Sequence, residues 1–423
     1  MPEFDFFESI TQLWAVRALI ASGLVGLMCG VLGPFIVLRN MSLIGDALAH
    51  AILPGIVVAF VVVGYSTIGF FVGSVVAGLF TAVLITWIQQ NVTTKNDAAI
   101  GIVFTAMFSL GVMGISKVSR NDGVHLDLKD FLFGNALGVT DEDLILTYVI
   151  TVYVLLSVVF FYRYLFVTTF QPIVARTMGI NVRLLHYFLM LLLSFAVVAS
   201  LRSVGVILVV AMLITPAATA LLLTKKLKRV VALSALIGVS SALLGMVVAI
   251  GLETTPGPAM AVVATLIYFG AVLFAPQNGL VFRRLRTYRL RTRIQLEDAL
   301  KQSYRLQMKG ALSLDTLNEQ VGFSKGKLHD HLKTLRRRGL LANGTAPLRV
   351  TATGVETAQK LIRAHRLWET YLVNQIGLTP EQIHDDAEKY EHLLTDEILA
   401  EVDRELGFPA VDPHGSPIPK RSL

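Results

Sequence analysis

A chain of 423 residues with 54% hydrophobic and only 16% charged side chains carries more apolar sequence than one soluble core can bury. Its formal charge of +7 comes largely from a few Lys/Arg clusters, so it is weak evidence for nucleic acid by itself. Cys29 is the single cysteine, which excludes an intrachain disulfide and a Cys-rich zinc site.

In chain order, Met1-Pro2-Glu3-Phe4-Asp5 is acidic and lacks the basic start of a cleavable signal. The first apolar segment is therefore expected to be a retained anchor. Apolar runs follow near 14–38, 46–64, 67–88, 98–116, 144–162, 186–200, 204–223, 231–251 and 258–275. Runs of about 20 residues predict about nine membrane crossings, some of them tilted or short. No barrel-type alternation occurs, so the spans must be helices that satisfy their own backbone. Gly26-x-x-x-Gly30 and Gly69-x-x-x-Gly73 are spaced for close helix crossings, with ordinary membrane glycines as the competing reading. Lys/Arg clusters at 163–183, at Lys225-Lys226-Leu227-Lys228-Arg229 and after Phe282 predict cytoplasmic loops. Counting back through nine spans puts the amino terminus outside, with Arg120, Lys129 and Arg202 against the bias.

The chemistry of the apolar half lies in Arg39-Asn40-Met41-Ser42-Leu43-Ile44-Gly45-Asp46-Ala47-Leu48-Ala49-His50-Ala51-Ile52-Leu53-Pro54-Gly55. Asp46 and His50 are four apart, hence on one helical face. Ionisable groups facing lipid are costly, so such a pair lines a cavity or binds something. A carboxylate with an imidazole suits manganese, zinc or iron. Pro54-Gly55 breaks or kinks the helix just beyond. The competing structural reading is an Asp at a helix start and a His packed on a neighbour.

This segment resembles the second-helix signature of the metal-type ABC importer permeases. Leu132-Phe133-Gly134-Asn135-Ala136-Leu137 is similar to another element of that family. Gln171-Pro172-Ile173-Val174-Ala175-Arg176-Thr177-Met178-Gly179-Ile180 resembles its cytoplasmic loop, and Val204–Ala220 its late helix with a Pro216-Ala217-Ala218 core. The resemblance implies Asp46 and His50 as the transport metal site. It also implies an ATPase-docking loop at 163–185, including Gln171, Pro172, Ala175 and Gly179. Gln171 stands where the family usually has an acidic residue. No Gly-x-x-x-x-Gly-Lys-[Ser/Thr] loop occurs in the chain, so ATP hydrolysis is expected from a separate ATPase subunit. An extracytoplasmic metal-binding protein and a homodimeric permease are further implications.

After the run Arg283–Arg293, the sequence turns soluble in character. Ser313–Leu341 reads as two helices about a tight turn, with Ser313 and Ser324 as N-caps and Gly322 and Gly339 as stops. The second helix is basic, as a helix entering a DNA groove would be. Ser324, Lys325, Lys327, His329 and Lys333 are its candidate DNA contacts. Asn343-Gly344 before Leu348-Arg349-Val350-Thr351 predicts a short wing hairpin. Protein interaction is the alternative use of such a module.

His365 and Glu369 are four apart, and His384, Glu388 and His392 repeat that spacing beside Glu391, in a helix begun by Thr379-Pro380-Glu381. Such a face suits a metal held by nitrogen and oxygen, with solvated His–Glu pairs as the bland alternative.

From about Leu296 to Pro419 the chain resembles the metal-dependent repressors of the diphtheria-toxin-repressor and manganese-regulator type. Glu297-Asp298-Ala299-Leu300-Lys301, His365 with Glu369, Glu388-x-x-Glu391-His392 and Asp412–Pro419 carry the likeness. It implies a regulatory metal on Asp298, His365, Glu388, Glu391 and His392, with Glu369 and His384 for a second ion. Glu388 stands where the iron-responsive branch has Cys, which tilts the expectation to manganese. Lys301 replaces a Glu ligand, which opposes a two-ion site.

The expected fold is an all-α polytopic membrane protein with a carboxy-terminal cytoplasmic winged helix-turn-helix and a helical metal-binding and dimerisation domain. The expected divisions are a permease at 1–280, a basic linker at 281–295, the winged domain at 296–355 and the metal-binding domain at 356–423. The expected role is a permease subunit of an ABC importer, not an enzyme, in the cell membrane amid lipid. Its cargo is a divalent metal ion, manganese ahead of zinc or iron, and its fused sensor is cytoplasmic. The alternative makes the second half a repressor of operator DNA, tethered or released by cleavage.

Overall fold

A computed structural model describes residues 11–64, 66–121, 138–276, 279–344, 348–378, 390, 392 and 394–420. It divides into two compact units, Met1–Arg283 and Arg284–Leu423. The expected element at 132–137, the helix start at 379–381, and His384, Glu388 and Glu391 lie outside the described residues.

The first unit is a bundle of apolar helices. They are α1 (Leu13–Leu38), α2 (Ser42–Ala51), α3 (Leu53–Val63), α4 (Thr67–Asn91), α5 (Asn96–Asn121) and α6 (Asp141–Phe170). After the short α7 (Pro172–Thr177) come α8 (Val182–Leu223), α9 (Leu227–Gly251) and α10 (Pro256–Phe274). Among the described residues, eight stretches are long and apolar enough to cross a membrane, and Leu208–Leu223 is a shorter apolar helix. The ninth expected span is thus the short half of α8. That helix breaks at Gly205, whose φ of 78° and ψ of 168° lie where side-chain-bearing residues are strained.

Small residues set the crossings. A Cβ on Gly26 would sit 2.5 Å from the Gly238 carbonyl oxygen, and one on Gly30 would sit 2.7 Å from that of Ser234, so α1 and α9 touch backbone to backbone. Gly55 and Gly73 do the same for α3 and α4, at 2.1 Å. Gly69 faces its own Ser66 and, at an ordinary 3.7 Å, the Val63 side chain of α3, so of that expected pair Gly73 alone brings backbones together.

Polar contacts hold the ends. Arg17 pairs with Asp141 at 2.7 Å. Arg39 donates to Thr168 and Thr169 at 2.8 and 3.1 Å, which makes α1 and α6 parallel neighbours.

The second unit continues from α11 (Leu280–Met308) through α12 (Leu314–Val321), α13 (Lys325–Arg337), α14 (Ala352–Tyr371) with a π-helical turn at Leu372–Ile376, and α15 (Asp396–Glu405). Leu296, Leu300, Leu317, Leu328, Leu332 and Leu335 form one core. Leu367, Val402 and Ile418 form another. Ser313 caps α12 through a reciprocal pair with Thr316, and Gly322 stops it at φ 64°. Ser324 precedes α13 at extended φ/ψ, but its side chain makes no capping bond. The expected wing narrows to one antiparallel bridge, Leu341 to Val350, and no strand forms among the described residues. Val350 N–H donates to Gln307 Oε1 at 2.7 Å, so α11 holds part of the backbone a longer ladder would use.

Candidate functional site

The first candidate site lies where α2 gives way to α3. Pro54 lacks the N–H that the His50 carbonyl would receive four residues on. The Ile52 N–H turns back to that carbonyl instead. The helix nonetheless resumes, so Ser42–Val63 serves as one apolar span. It begins at Ser42, before hydropathy marks it, and this sets Asp46 more than a turn inside.

Asp46 Oδ1 lies 3.6 Å from His50 Nε2. The Asp46 side chain keeps 47% of its exposure while that of His50 keeps 19%. His50 packs against Phe104 and Phe108, with ring centroids at 5.5 and 5.4 Å. Its Nδ1 is buried and makes no hydrogen bond among the described residues. The nitrogen beside the half-exposed carboxylate is Nε2, and this is the one placed to share a cation with Asp46; the buried Nδ1 lies on the other edge of the ring. Sequence reading missed the two phenylalanines, although their i, i+4 spacing on α5 marks a common face. Leu213 of α8, three residues before Pro216, comes within 3.2 Å of where a Gly45 Cβ would be, so the late helix closes against this segment.

The expected docking loop forms α7. Gln171 precedes it, Pro172 occupies its first turn, and Ala175 is fully buried. Gly179 ends it at φ 77°. Ile173 and Met178 stay 77% and 65% exposed, which offers an apolar projection to a partner.

In the second unit, the exposed face of α13 carries Lys325, Lys327, His329 and Lys333, preceded by exposed Ser324. Its inner face buries Leu328, His331, Leu332 and Leu335. His331 lies edge-on to Phe323 at 5.4 Å. Burial, reinforced by Lys327 and partly opposed by Asp330, pulls its pKa below the usual histidine value.

Of the expected metal ligands, Asp298 and His392 are brought together, and so are His365 and Glu369. His392 Nε2 lies 3.1 Å from Asp298 Oδ1, while its Nδ1 lies 2.7 Å from Glu297 Oε2. Glu297 also receives Arg293 at 2.8 Å. Burial pushes the Glu297 carboxyl up, but hydrogen bonds from His392 and Arg293 and their charges outweigh this and hold it below its usual range. His365 Nε2 lies 3.1 Å from Glu369 Oε1, both side chains being buried. Lys301 is 1% exposed, with its ammonium 3.9 Å from Asp298.

Nitrogen and oxygen donors of this kind suit a divalent transition metal. Yet no three His, Cys, Asp or Glu side chains converge for an ion among the described residues. The reason is geometric: the two nitrogens of His392 face in different directions, so Glu297 and Asp298 sit on separate edges of the ring. These residues alone do not make a complete metal site. The closing tail is anchored to α14, where Arg363 bonds Asp403 and the Pro419 carbonyl and Arg366 bonds Asp412 at 3.3 Å.

Residues 12–275 match the ABC 3 transport family, and residues 351–420 match the iron dependent repressor, metal binding and dimerisation domain. The manganese transport system membrane protein MntC of Listeria monocytogenes is 44% identical over 282 residues, covering 66% of this chain and 98% of that protein. The MntC protein of Bacillus subtilis is 34% identical over 363 residues, 84% of this chain and 83% of that protein, so this similarity runs beyond the apolar half. Among solved structures, PsaBC from Streptococcus pneumoniae in complex with Fab is 37% identical with a TM-score of 0.59. It covers 67% of this chain and 98% of that chain.

Proposed function

The chain belongs to the ABC 3 transport family, and from that membership we propose that it is the permease subunit of an importer for a divalent transition metal, with manganese as cargo and a fused metal-sensing, repressor-like domain. The observation that carries this reading is the Asp46–His50 pair, one helical turn apart, with Asp46 Oδ1 3.6 Å from His50 Nε2. An ion stripped of water needs replacement ligands, and a carboxylate and an imidazole supply charge and a lone pair.

No covalent chemistry is required of this chain. A separate ATPase subunit would supply the energy by docking on α7, where Gln171, Pro172, Ala175 and Gly179 shape the loop. An external metal-binding protein would deliver the ion, and two permease chains would enclose the path. Lys/Arg clusters at 163–183, 225–229 and 283–293 support a cytoplasmic side for α7 and for the second unit.

Within that unit, 296–355 would form the winged domain and 356–423 the metal-binding and dimerisation domain, after a linker at 281–295. Asp298, His365, Glu388, Glu391 and His392 would hold the regulatory ion, with Glu369 and His384 for a second. The unit acts as a brake that slows import when cytoplasmic metal is high. A second reading, operator binding through Ser324, Lys325, Lys327, His329 and Lys333, is favoured by the exposure of those cations on one helix face.

Radioactive manganese uptake in cells expressing the complete transporter tests the central claim. Asp46→Ala and His50→Ala should each abolish uptake at unchanged membrane abundance, while wild-type uptake resists excess zinc. Undiminished uptake in both variants would make the pair structural. Complete competition by zinc would move the cargo to zinc.

A further inference from the structure

At one end of the helical bundle, a cavity of about 550 Å³ gathers Arg39, Arg176, Arg183 and His186 with Thr86 and Thr168. These groups come from the ends of α1, α4 and α6, from α7 and from the start of α8. The lining contains no acidic side chain. No carboxylate forms an ion pair with Arg39, Arg176 or Arg183 among the described residues.

The polar groups are arranged to receive something. The Thr168 hydroxyl donates to the Tyr164 carbonyl and that of Thr169 to the Leu165 carbonyl. Both therefore act as acceptors toward Arg39, taking its Nη2 and Nε protons. A guanidinium has five N–H donors. Those left over on half-buried Arg39 have no protein acceptor among the described residues. Thr86 is likewise committed, because its hydroxyl donates to the Ala82 carbonyl at 2.7 Å. It therefore accepts from His186 Nε2 at 3.1 Å and orients that ring. Val182 adds the amino-terminal turn of α8, whose dipole favours an anion.

Arg39, held only by neutral hydroxyls, stands with Arg176 and Arg183 around a cavity without carboxylates, so charge is left uncompensated, and several guanidinium forks match the oxygens of a phosphate better than any neutral ligand does. We propose that this cavity binds the phosphate of an anionic phospholipid headgroup. The ligand chemistry is the phosphate; its source follows from depth. The cavity lies where apolar helices of membrane-spanning length end, which is the level of bilayer phosphates. Arg176 of α7 and Arg183 lie within the proposed docking loop, but the side chains that α7 exposes, Ile173 and Met178, offer a protein partner an apolar surface rather than an anion. A bound headgroup would tie α1, α6 and α8 together beside the segment that carries α7.

The test uses the purified full-length protein in neutral detergent, titrated with phosphatidylglycerol, phosphatidylcholine or inorganic phosphate. Lipid retained per chain is read by native mass spectrometry, and stability by thermal melting. Phosphatidylglycerol should be retained and should raise the melting temperature, phosphatidylcholine should do neither, and inorganic phosphate should not displace the lipid. Arg39→Gln and Arg183→Gln should each weaken retention at least about tenfold, with Arg183→Lys intermediate. Because Arg39 also bonds α6, the exposed Arg183 provides the variant whose fold is not at risk. Equal retention of the two lipids, or wild-type retention in Arg183→Gln, would overturn the site. Saturation by inorganic phosphate with displacement of the lipid would overturn its lipid source. Phosphatidylglycerol retained no better than phosphatidylcholine, with loss of ATPase-subunit binding in Arg183→Gln, would assign the cations to a protein carboxylate and overturn the proposal.

Discussion

At the level of single residues, the informative groups are those whose polar atoms lack the partners their burial calls for. His50 is one: its buried Nδ1 has no hydrogen-bond partner among the described residues, while its Nε2 faces Asp46. His331 is another, with a buried Nε2 and a pKa pulled down first by burial and then by Lys327. The sign of its linkage is definite. A neutral folded histidine binds fewer protons than an unfolded one below about pH 6.5, so stability rises with pH there. Its contribution is present above the unfolded pKa and is lost as pH falls from there through the lowered folded pKa. Hydrogen exchange of the α12–α13 amides in the full-length protein should therefore quicken between pH 7.5 and 5.5, after correction for the intrinsic rate. His331→Leu should flatten that dependence, and an unchanged slope in this variant would remove His331 as its cause. Lys301 illustrates the opposite condition. Its buried ammonium already has Asp298 beside it, so one cation of the sensor face is part of the chain.

At the level of elements, close crossings rather than side-chain interdigitation define the bundle at its tightest points. A Gly55 Cβ would fall 2.1 Å from the Gly73 carbonyl, a distance that no rotamer can relieve because the obstacle is backbone. Gly55→Val should force α3 from α4 and destabilise the protein by at least about 1–3 kcal/mol. Gly270→Ala has open space around it and should leave the melting temperature in detergent unchanged. Equal melting of both variants would show that the crossing is not under strain. This spacing was legible in the sequence for three of the four expected glycines. Gly26, Gly30 and Gly73 stand at contacts, whereas Gly69 has the same pattern and faces its own Ser66. Spacing specifies a face of a helix, and only a neighbour's backbone makes that face a contact.

At the level of the whole molecule, a transport family and a repressor-type metal-binding domain share one chain, and the consequence we propose is regulatory. Truncation after Leu290 should raise manganese uptake in cells loaded with the metal and leave uptake unchanged in starved cells. Uptake that is the same with and without residues 291–423 at high internal metal would remove the brake.

The amino-acid sequence by itself determined the division into an apolar and a soluble half, the helical character of both, and the Asp46–His50 and His365–Glu369 pairs. Each of these is a local consequence of hydropathy or of the 3.6-residue period. Tertiary structure decided what depends on groups far apart in the chain. It placed Phe104 and Phe108 around His50, put Glu297 and Asp298 on separate edges of His392, and collected Arg39, Thr168 and Arg183 about one cavity. Among the described residues it also left the wing a single bridge, and it cut one span of α8 to a half-helix at Gly205. Those outcomes turn on which helix lies against which, and packing sets that through contacts between residues whose separation along the chain carries no periodic signal.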